Sequence, residues 1–188
     1  YGSHVLASLS PAARITGIDL SDWAVDFARR NYASDRVDFR CGSLPEALDE
    51  VADASVDFVV SLETLEHVTD PQPLLAAFER VLFECARPAT VVLTTPNVEY
   101  NVKWESLPAG QLRHKDHRFE WTRTEFRAWA EGICQRFGYD VRFLPVGPED
   151  ASVGAPTQMA VFASAATRQN NTAQANGLGN GATPPSES

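Results

Sequence analysis

Strand-like and helix-like segments alternate along most of this 188-residue chain, and this alternation limits the fold more than any other feature. Four short apolar runs have the character of buried strands, at residues 14–19, 37–41, 56–61 and 89–95. Two segments between them have apolar residues at helical spacing, 21–32 and 71–85. Strands that alternate with helices form an open, mostly parallel sheet with helices on both faces. The sequence therefore predicts an α/β fold.

Local signals define where the helices begin. Ser21 is a favourable N-cap for a helix that continues through Tyr32, with Trp23, Phe27 and Ala28 on its apolar side. Residues 1–6, at the start of the chain, resemble the end of a glycine-rich turn that runs into another helix. Residues 1–41 are therefore expected to hold two helices and two strands.

The last third of the chain has equally clear signals. Thr122 can cap a helix that ends near Phe137, with Glu125 in the capping-box position. Two strands near residues 141–144 and 159–163 predict a closing antiparallel hairpin. The tail, rich in Asn, Gly, Ser and Pro, is predicted to be disordered. These signals predict one domain at residues 1–164 and a tail at 165–188.

The composition restricts the classes of function. A net charge of -9, from 16 basic and 25 acidic residues, argues against broad nonspecific binding of nucleic acid. Residues 112–127 form a local exception, where the basic residues outnumber the acidic ones: Arg113, Lys115, Arg118, Arg123 and Arg127 against Asp116, Glu120 and Glu125. A small cationic rim of this kind suits a protein that binds a few phosphates, such as those at the end of a nucleic-acid strand.

Other features bear on location. No apolar run approaches the roughly 20 residues needed to cross a bilayer, and no secretion signal is evident. The three cysteines, Cys41, Cys85 and Cys134, form no CxxC pair. They are expected to be buried, reduced thiols in a cytoplasmic protein without membrane partners.

Several polar residues follow directly after predicted strands. Asp19, the segment 63–67 and the pair Pro96 and Asn97 should lie on one rim, because ligands bind outside the carboxyl ends of the strands in such sheets. Asp19 is the usual position of a carboxylate that accepts hydrogen bonds from a ribose diol. The alternative is a helix-capping aspartate, since Asp19 comes shortly before Ser21.

Two acids and a histidine are spaced to share one face of a helical turn. Glu63, Glu66 and His67 stand at i, i+3 and i+4. A further imidazole, from His114 or His117, could complete a divalent-metal site with mixed oxygen and nitrogen ligands. The alternative is a structural segment, because an adenosylmethionine-dependent methyltransferase often has a similar Glu-His-Val sequence without a metal.

Segments further along the chain resemble one family. Thr94-Thr-Pro-Asn-Val-Glu-Tyr-Asn101 and Phe119-Glu-Trp-Thr-Arg123 resemble the hua-enhancer type of RNA 3′-terminal ribose 2′-O-methyltransferases. Val146-Gly-Pro-Glu-Asp150 and Pro156-Thr-Gln-Met159 are most similar to its bacterial branch, which belongs to an RNA-repair system. The resemblance covers roughly residues 1 to 163. It implies a Rossmann-like class I methyltransferase fold.

The resemblance also implies roles for single residues. It makes four residues the ligands of one divalent metal (manganese, magnesium, iron or cobalt) and the catalytic set: Glu63, Glu66, His67 and His117. It assigns S-adenosylmethionine to a second set: Asp19 on the ribose, Ser43 and Leu44 on the adenine, Ser61 and Leu62 near the methionine portion. His114 has no firm ligand role in the family and is expected to support the site or contact RNA; the alternative is a solvated loop histidine.

The implied activity is metal-dependent methylation of the 2′-OH of the 3′-terminal ribose of RNA. The implied partners are an RNA 3′ end and an RNA-repair kinase, phosphatase or ligase. The family's central first strand should precede Tyr1, so the chain is expected to be a fragment of a longer protein. Two rival hypotheses stay open: a metal-free O-methyltransferase for phenol- or quinone-type molecules, and a non-catalytic module that binds RNA ends.

Overall fold

The computed structural model describes residues 1–43, 55–67, 79–80, 83 and 88–164. The chain divides into two compact units, Tyr1–Asp53 and Ala54–Ser188. Most of the helix predicted at 71–85, the whole tail at 165–188 and the cofactor candidate Leu44 lie outside the described residues.

The described residues of the first unit, 1–43, form two helices and a two-stranded parallel sheet. Its elements are α1 (Gly2–Leu9), β1 (Ile15–Asp19), α2 (Asp22–Tyr32) and β2 (Val37–Cys41). Ile15 pairs with Val37 and Asp19 with Cys41, so the two strands run in register along their whole length. This pairing confirms the strand predictions for this part of the chain.

Helix α2 begins where the sequence predicts and buries a different side chain. Ser21 accepts a hydrogen bond from the N–H of Ala24, so its N-cap role is confirmed. The buried side chain of α2 is Val25, which packs with two residues of β2. Trp23 is 77% exposed and stacks on the exposed Phe27, so the predicted apolar side was wrong for these two residues. The sheet covers the face that carries Val25, and Trp23 and Phe27 cover each other instead.

The second unit contains a four-stranded mixed sheet and one described α-helix. Its elements are β3 (Phe58–Leu62), β4 (Thr90–Pro96), α3 (Arg123–Phe137), β5 (Tyr139–Val146) and β6 (Thr157–Ser164). The strand order is β3-β4-β6-β5, with β3 and β4 parallel and the other two pairs antiparallel. The predicted closing hairpin is therefore confirmed, with longer strands than expected.

The core of this unit lies between β4, β6 and α3. Val91, Leu93 and Phe162 are fully buried in the sheet, and Ile133 is buried on the helix. Thr122 and Glu125 form a complete capping box at the start of α3, as the sequence predicts. The sheet fixes the carboxyl ends of β3 and β4, and the loops that follow them carry the candidate site.

The cysteines differ in part from their prediction. Cys41 is exposed at the end of β2, and hydrogen bonding to Asp22 raises the pKa of its thiol. Cys134 is partly buried on α3, and Cys85 lies outside the described residues. Among the helices that the structure describes, none is long and apolar enough to cross a membrane.

Candidate metal centre

The segment after β3 is attached to the neighbouring strand through Glu63. Its N–H donates to the carbonyl oxygen of Thr94 at 3.1 Å and to the hydroxyl of Thr94 at 3.0 Å. Glu63 has a φ of 50°, in the left-handed region that non-glycine residues rarely adopt. The helical turn begins only afterwards, as a 3-10 turn at Leu65–His67. The prediction that Glu63 shares this turn with Glu66 and His67 was therefore wrong, because the bonds to β4 hold Glu63 in a different conformation.

Three of the four predicted metal ligands come together. Glu66, His67 and His117 each offer one ligand atom, and these atoms all lie within 4.8 Å of one another. The rings of His67 and His117 are nearly perpendicular, at 81°, with centroids 4.9 Å apart. The N–H of Arg118 donates to the carbonyl oxygen of Glu66 at 2.7 Å. This bond fixes the loop that carries His114, His117 and Arg118, called here the histidine-rich loop, against the 3-10 turn.

Glu66 is fully buried, and one of its carboxylate oxygens is unsatisfied. Oε2 accepts a hydrogen bond from the hydroxyl of Thr95 at 3.1 Å. Oε1 is buried with no hydrogen-bond partner among the described residues. Burial raises the pKa of Glu66 to about 7, and the nearby charge of Glu63 adds to this effect. A buried carboxylate oxygen without a partner, next to two imidazoles, is chemically suited to a cation.

The other two candidates lie around this group. Glu63 is exposed and is not one of the three converging residues, so its ligand role stays a prediction. His114 is exposed, with its ring centroid 5.6 Å from that of His117 and 6.4 Å from that of His67. The N–H of Asp116 donates to Nδ1 of His114 at 3.3 Å. Of the two histidines that the spacing left open, the structure brings His117 into the group.

A buried glutamate behind His117 has a role that the sequence did not reveal. Oε1 of Glu120 lies 2.6 Å from Nδ1 of His117 and accepts the N–H of Arg113 at 2.6 Å. Oε2 accepts from the side-chain amide of Asn101 at 2.6 Å. The i, i+3 spacing of Glu120 from His117 was the available signal for the contact between these two side chains.

The predicted cationic rim is smaller than its sequence suggested. The guanidinium of Arg113 is directed into the protein and donates to the carbonyl oxygen of Pro156 at 2.7 Å. Arg123 pairs with Glu99 at 2.7 Å. Lys115 and Arg118 are exposed, and neither side chain bonds to another described residue. The guanidinium of Arg127 lies 4.5 Å from the ring centroid of Phe143, so Lys115 and Arg118 are the rim cations without a side-chain contact among the described residues.

The residues assigned to a cofactor lie at strand ends in both units. Asp19 is exposed at the end of β1, and its Oδ1 accepts the N–H of Ser21 at 2.8 Å. The capping alternative is thus realised for one oxygen. Ser43 is partly buried after β2, and Ser61 and Leu62 end β3. Their cofactor roles stay predictions.

Comparison with known proteins identifies the fold and the family. A family model described as "Methyltransferase domain" matches residues 1–84. A small RNA 2′-O-methyltransferase of Tetrahymena thermophila is 36% identical over 147 residues, which are 73% of this chain and 34% of that protein.

Two solved structures extend the comparison. The methyltransferase domain of bacterial CtHen1-C is 39% identical with a TM-score of 0.66, over 81% of this chain and 77% of that one. The small RNA methyltransferase HEN1 is 26% identical with a TM-score of 0.71, over 88% of this chain and 22% of that one.

The fold and the matched model define a methyltransferase domain of the Rossmann-like class I type, which confirms the predicted fold class. Within that class, the chain belongs to the Hen1 family. It spans 34% and 28% of the length of two of the curated relatives that it matches.

Proposed function

We propose that the protein transfers a methyl group from S-adenosylmethionine to the 2′-oxygen of the 3′-terminal ribose of RNA, with the help of one divalent metal. The observation that supports this most is the convergence of Glu66, His67 and His117 around an unsatisfied buried oxygen. The small RNA 2′-O-methyltransferases among the relatives support the choice of substrate.

The metal would be held by Glu66, His67 and His117, with Glu63 as a fourth ligand by family resemblance. When bound, a divalent cation lowers the pKa of an oxygen that contacts it and orients that oxygen for reaction. The chain itself contributes a carboxylate that is already desolvated, since Glu66 is buried before any ligand arrives. Two imidazoles with carboxylates suit manganese, iron or cobalt better than magnesium, which prefers oxygen ligands.

The proposal accounts for selectivity towards RNA ends. Only a terminal ribose offers free 2′- and 3′-oxygens side by side. An internal nucleotide has its 3′-oxygen in a phosphodiester, and DNA lacks the 2′-oxygen. A site that recognises the diol would therefore reject both.

The methyl donor would be bound at the strand ends. Asp19 has one carboxylate oxygen outside its bond to Ser21, and this oxygen could accept from the ribose of the donor. Ser43 and Leu44 would lie on the adenine, and Ser61 and Leu62 near the methionine portion. The donor carries its methyl group on an activated sulfonium, so the residues of the metal centre act on the nucleophile.

The RNA itself would be held by exposed residues of the histidine-rich loop. Lys115 and Arg118 are the candidates for the last phosphates. Trp104 is 44% exposed and packs edge-on against Tyr100, so these two rings could stack on the terminal base. Trp121 is a packing residue instead, in contact with Trp129 on α3.

The resemblance to the bacterial branch implies a protein partner as well. This partner would be an RNA-repair kinase, phosphatase or ligase in the cytoplasm.

The test is methyl transfer to RNA with a free 3′-terminal diol, before and after chelation. We expect transfer to stop on chelation and to return with Mn²⁺. RNA with a 2′-deoxy or 2′-O-methyl end should not react. Undiminished transfer after chelation would contradict the metal scheme and favour the metal-free O-methyltransferase.

Two alanine variants locate the metal. His117→Ala should lose most of its Mn²⁺ affinity in calorimetry, whereas His114→Ala should keep it, since His114 lies outside the converging group. Equal retention of metal by both variants would contradict the assignment.

Glu66→Ala separates the enzyme from a non-catalytic module, because a pure RNA-end-binding protein should keep its function in that variant.

A further inference from the structure

We propose that Glu120 is a positioning residue, which holds the imidazole of His117 with its proton on Nδ1 and so leaves Nε2 free to bind the metal. This inference rests on the proposed function, since it gives His117 a metal to bind. It adds a residue that touches neither the metal nor the substrate.

The contact between the two side chains is short and shielded from water. Nδ1 of His117 lies 2.6 Å from Oε1 of Glu120. The side chain of Glu120 is completely buried, and that of His117 is 8% exposed. Water therefore does not compete for this hydrogen bond, and the histidine ring has one preferred orientation.

The other partners of Glu120 decide which atom carries the proton. Oε1 also accepts from the main-chain N–H of Arg113 at 2.6 Å, and Oε2 accepts from the amide of Asn101 at 2.6 Å. Both oxygens of Glu120 therefore already accept a hydrogen bond from a neighbouring N–H group, so its carboxyl group is arranged as an acceptor for a further N–H. The proton between Glu120 and His117 then belongs to Nδ1 of the histidine, and Nε2 keeps its lone pair.

The surroundings of Glu120 keep it in place. Asn101 is buried at the 3-10 turn Val98–Lys103, and its Oδ1 lies 3.4 Å from the guanidinium of Arg113. Arg113 thus contacts the network twice, through its main-chain N–H and through its side chain. A carboxylate that accepts the second ring N–H of a metal-binding histidine fixes the tautomer and ring orientation, and losing such a partner typically weakens metal binding about 10- to 100-fold.

The first experiment uses the unmodified protein without metal. ¹⁵N NMR of the histidine rings distinguishes the two neutral tautomers. We expect His117 to carry its proton on Nδ1 and to have a bare Nε2. A His117 ring protonated on Nε2 alone would overturn the proposal, whatever the behaviour of any variant.

The second experiment measures Mn²⁺ affinity by calorimetry. In Glu120→Gln, the new amide nitrogen must face either the amide of Asn101 or Nδ1 of His117, and both are donors. We expect affinity about 10- to 100-fold below that of the unmodified protein. Glu131→Gln, the same change at an exposed site on α3, is the matched control and should bind as before.

A double variant tests the hydrogen-bond pattern itself. In Asn101→Asp combined with Glu120→Gln, the carboxylate at position 101 accepts from the amide nitrogen at position 120. The amide oxygen at position 120 can then face Nδ1 of His117. We expect most of the lost affinity and the Nδ1-protonated ring to return. Affinity within twofold of normal in Glu120→Gln, or a double variant no better than the single one, would overturn the proposal. An unmodified protein with the expected tautomer and no Mn²⁺ affinity would contradict the proposed function instead.

Discussion

The hydroxyl of Thr95 donates to Oε2 of Glu66 across 3.1 Å and joins β4 to the turn that carries two of the candidate metal ligands. Both residues are fully buried. This bond holds the carboxylate so that Oε2 is satisfied and Oε1 is not. The fold therefore holds in place a carboxylate whose burial is unfavourable in the absence of a cation. Several measurable effects follow.

The metal-free protein should lose stability as the pH rises. Burial raises the pKa of Glu66 to about 7 in the folded chain, above the 4.5 of an ordinary glutamate. The folded state thus binds this proton more tightly than the unfolded state does, so the stabilisation is complete below pH 4.5 and is lost as the pH rises through 7. Glu66→Gln lacks this pH-dependent contribution to stability. In urea unfolding with chelator present, the free energy of unfolding of the variant, relative to that of the unmodified protein, should rise by up to about 3 kcal/mol between pH 4.5 and 8. A constant difference across this range would contradict the prediction.

The backbone at Glu63 predicts a difference between two substitutions that both remove its carboxylate. A φ of 50° costs an alanine about 1–2 kcal/mol and costs glycine much less. Glu63→Gly should therefore be more stable than Glu63→Ala by about 1 kcal/mol in urea unfolding. If Glu63 is a metal ligand, both variants should bind Mn²⁺ equally weakly. A more stable alanine variant would show that this conformation is not kept in solution.

The two exposed cations of the histidine-rich loop should control the salt dependence of RNA binding. Lys115→Ala with Arg118→Ala should weaken binding of a single-stranded RNA and reduce the slope of log affinity against log salt by about 1.4, which is about 0.7 for each phosphate contact. Arg142→Ala, at an exposed position on β5, is the control and should leave the slope unchanged. An equal effect of the control would mean that only net charge matters.

The capping box of α3 should contribute measurably to stability. The hydroxyl of Thr122 accepts the N–H of Glu125 at 3.2 Å and donates to its carboxylate at 2.7 Å. Thr122→Ala should cost about 1 kcal/mol in the free energy of unfolding, whereas Thr122→Ser keeps the hydroxyl and should cost much less. Equal losses in the two variants would indicate that the methyl group of Thr122, and not the cap, provides the stability.

Features that depend on local sequence could be predicted. The caps at Ser21 and Thr122 rest on contacts within three residues, and both are present. The strands and the closing hairpin follow from short runs of apolar residues. The grouping of Glu66 and His67 with His117 needed family resemblance as well, because about fifty residues separate them.

Features that depend on distant contacts could not be predicted. The backbone of Glu63 is set by Thr94 on another strand, and helical spacing contains no information about that bond. The exposure of Trp23 depends on which face of α2 the sheet covers. The pattern of hydrophobic residues alone predicted the wrong face. The position of Glu120 behind His117 depends on donors from Asn101 and Arg113, which only the folded loop brings together.

The histidine-rich loop is fastened to Glu66 through the peptide group of Arg118 and not through its side chain. Evolution can therefore vary the residue at this position to suit the nucleic acid without disturbing the ligands beside it. Proline is the exception, because it has no amide hydrogen to give.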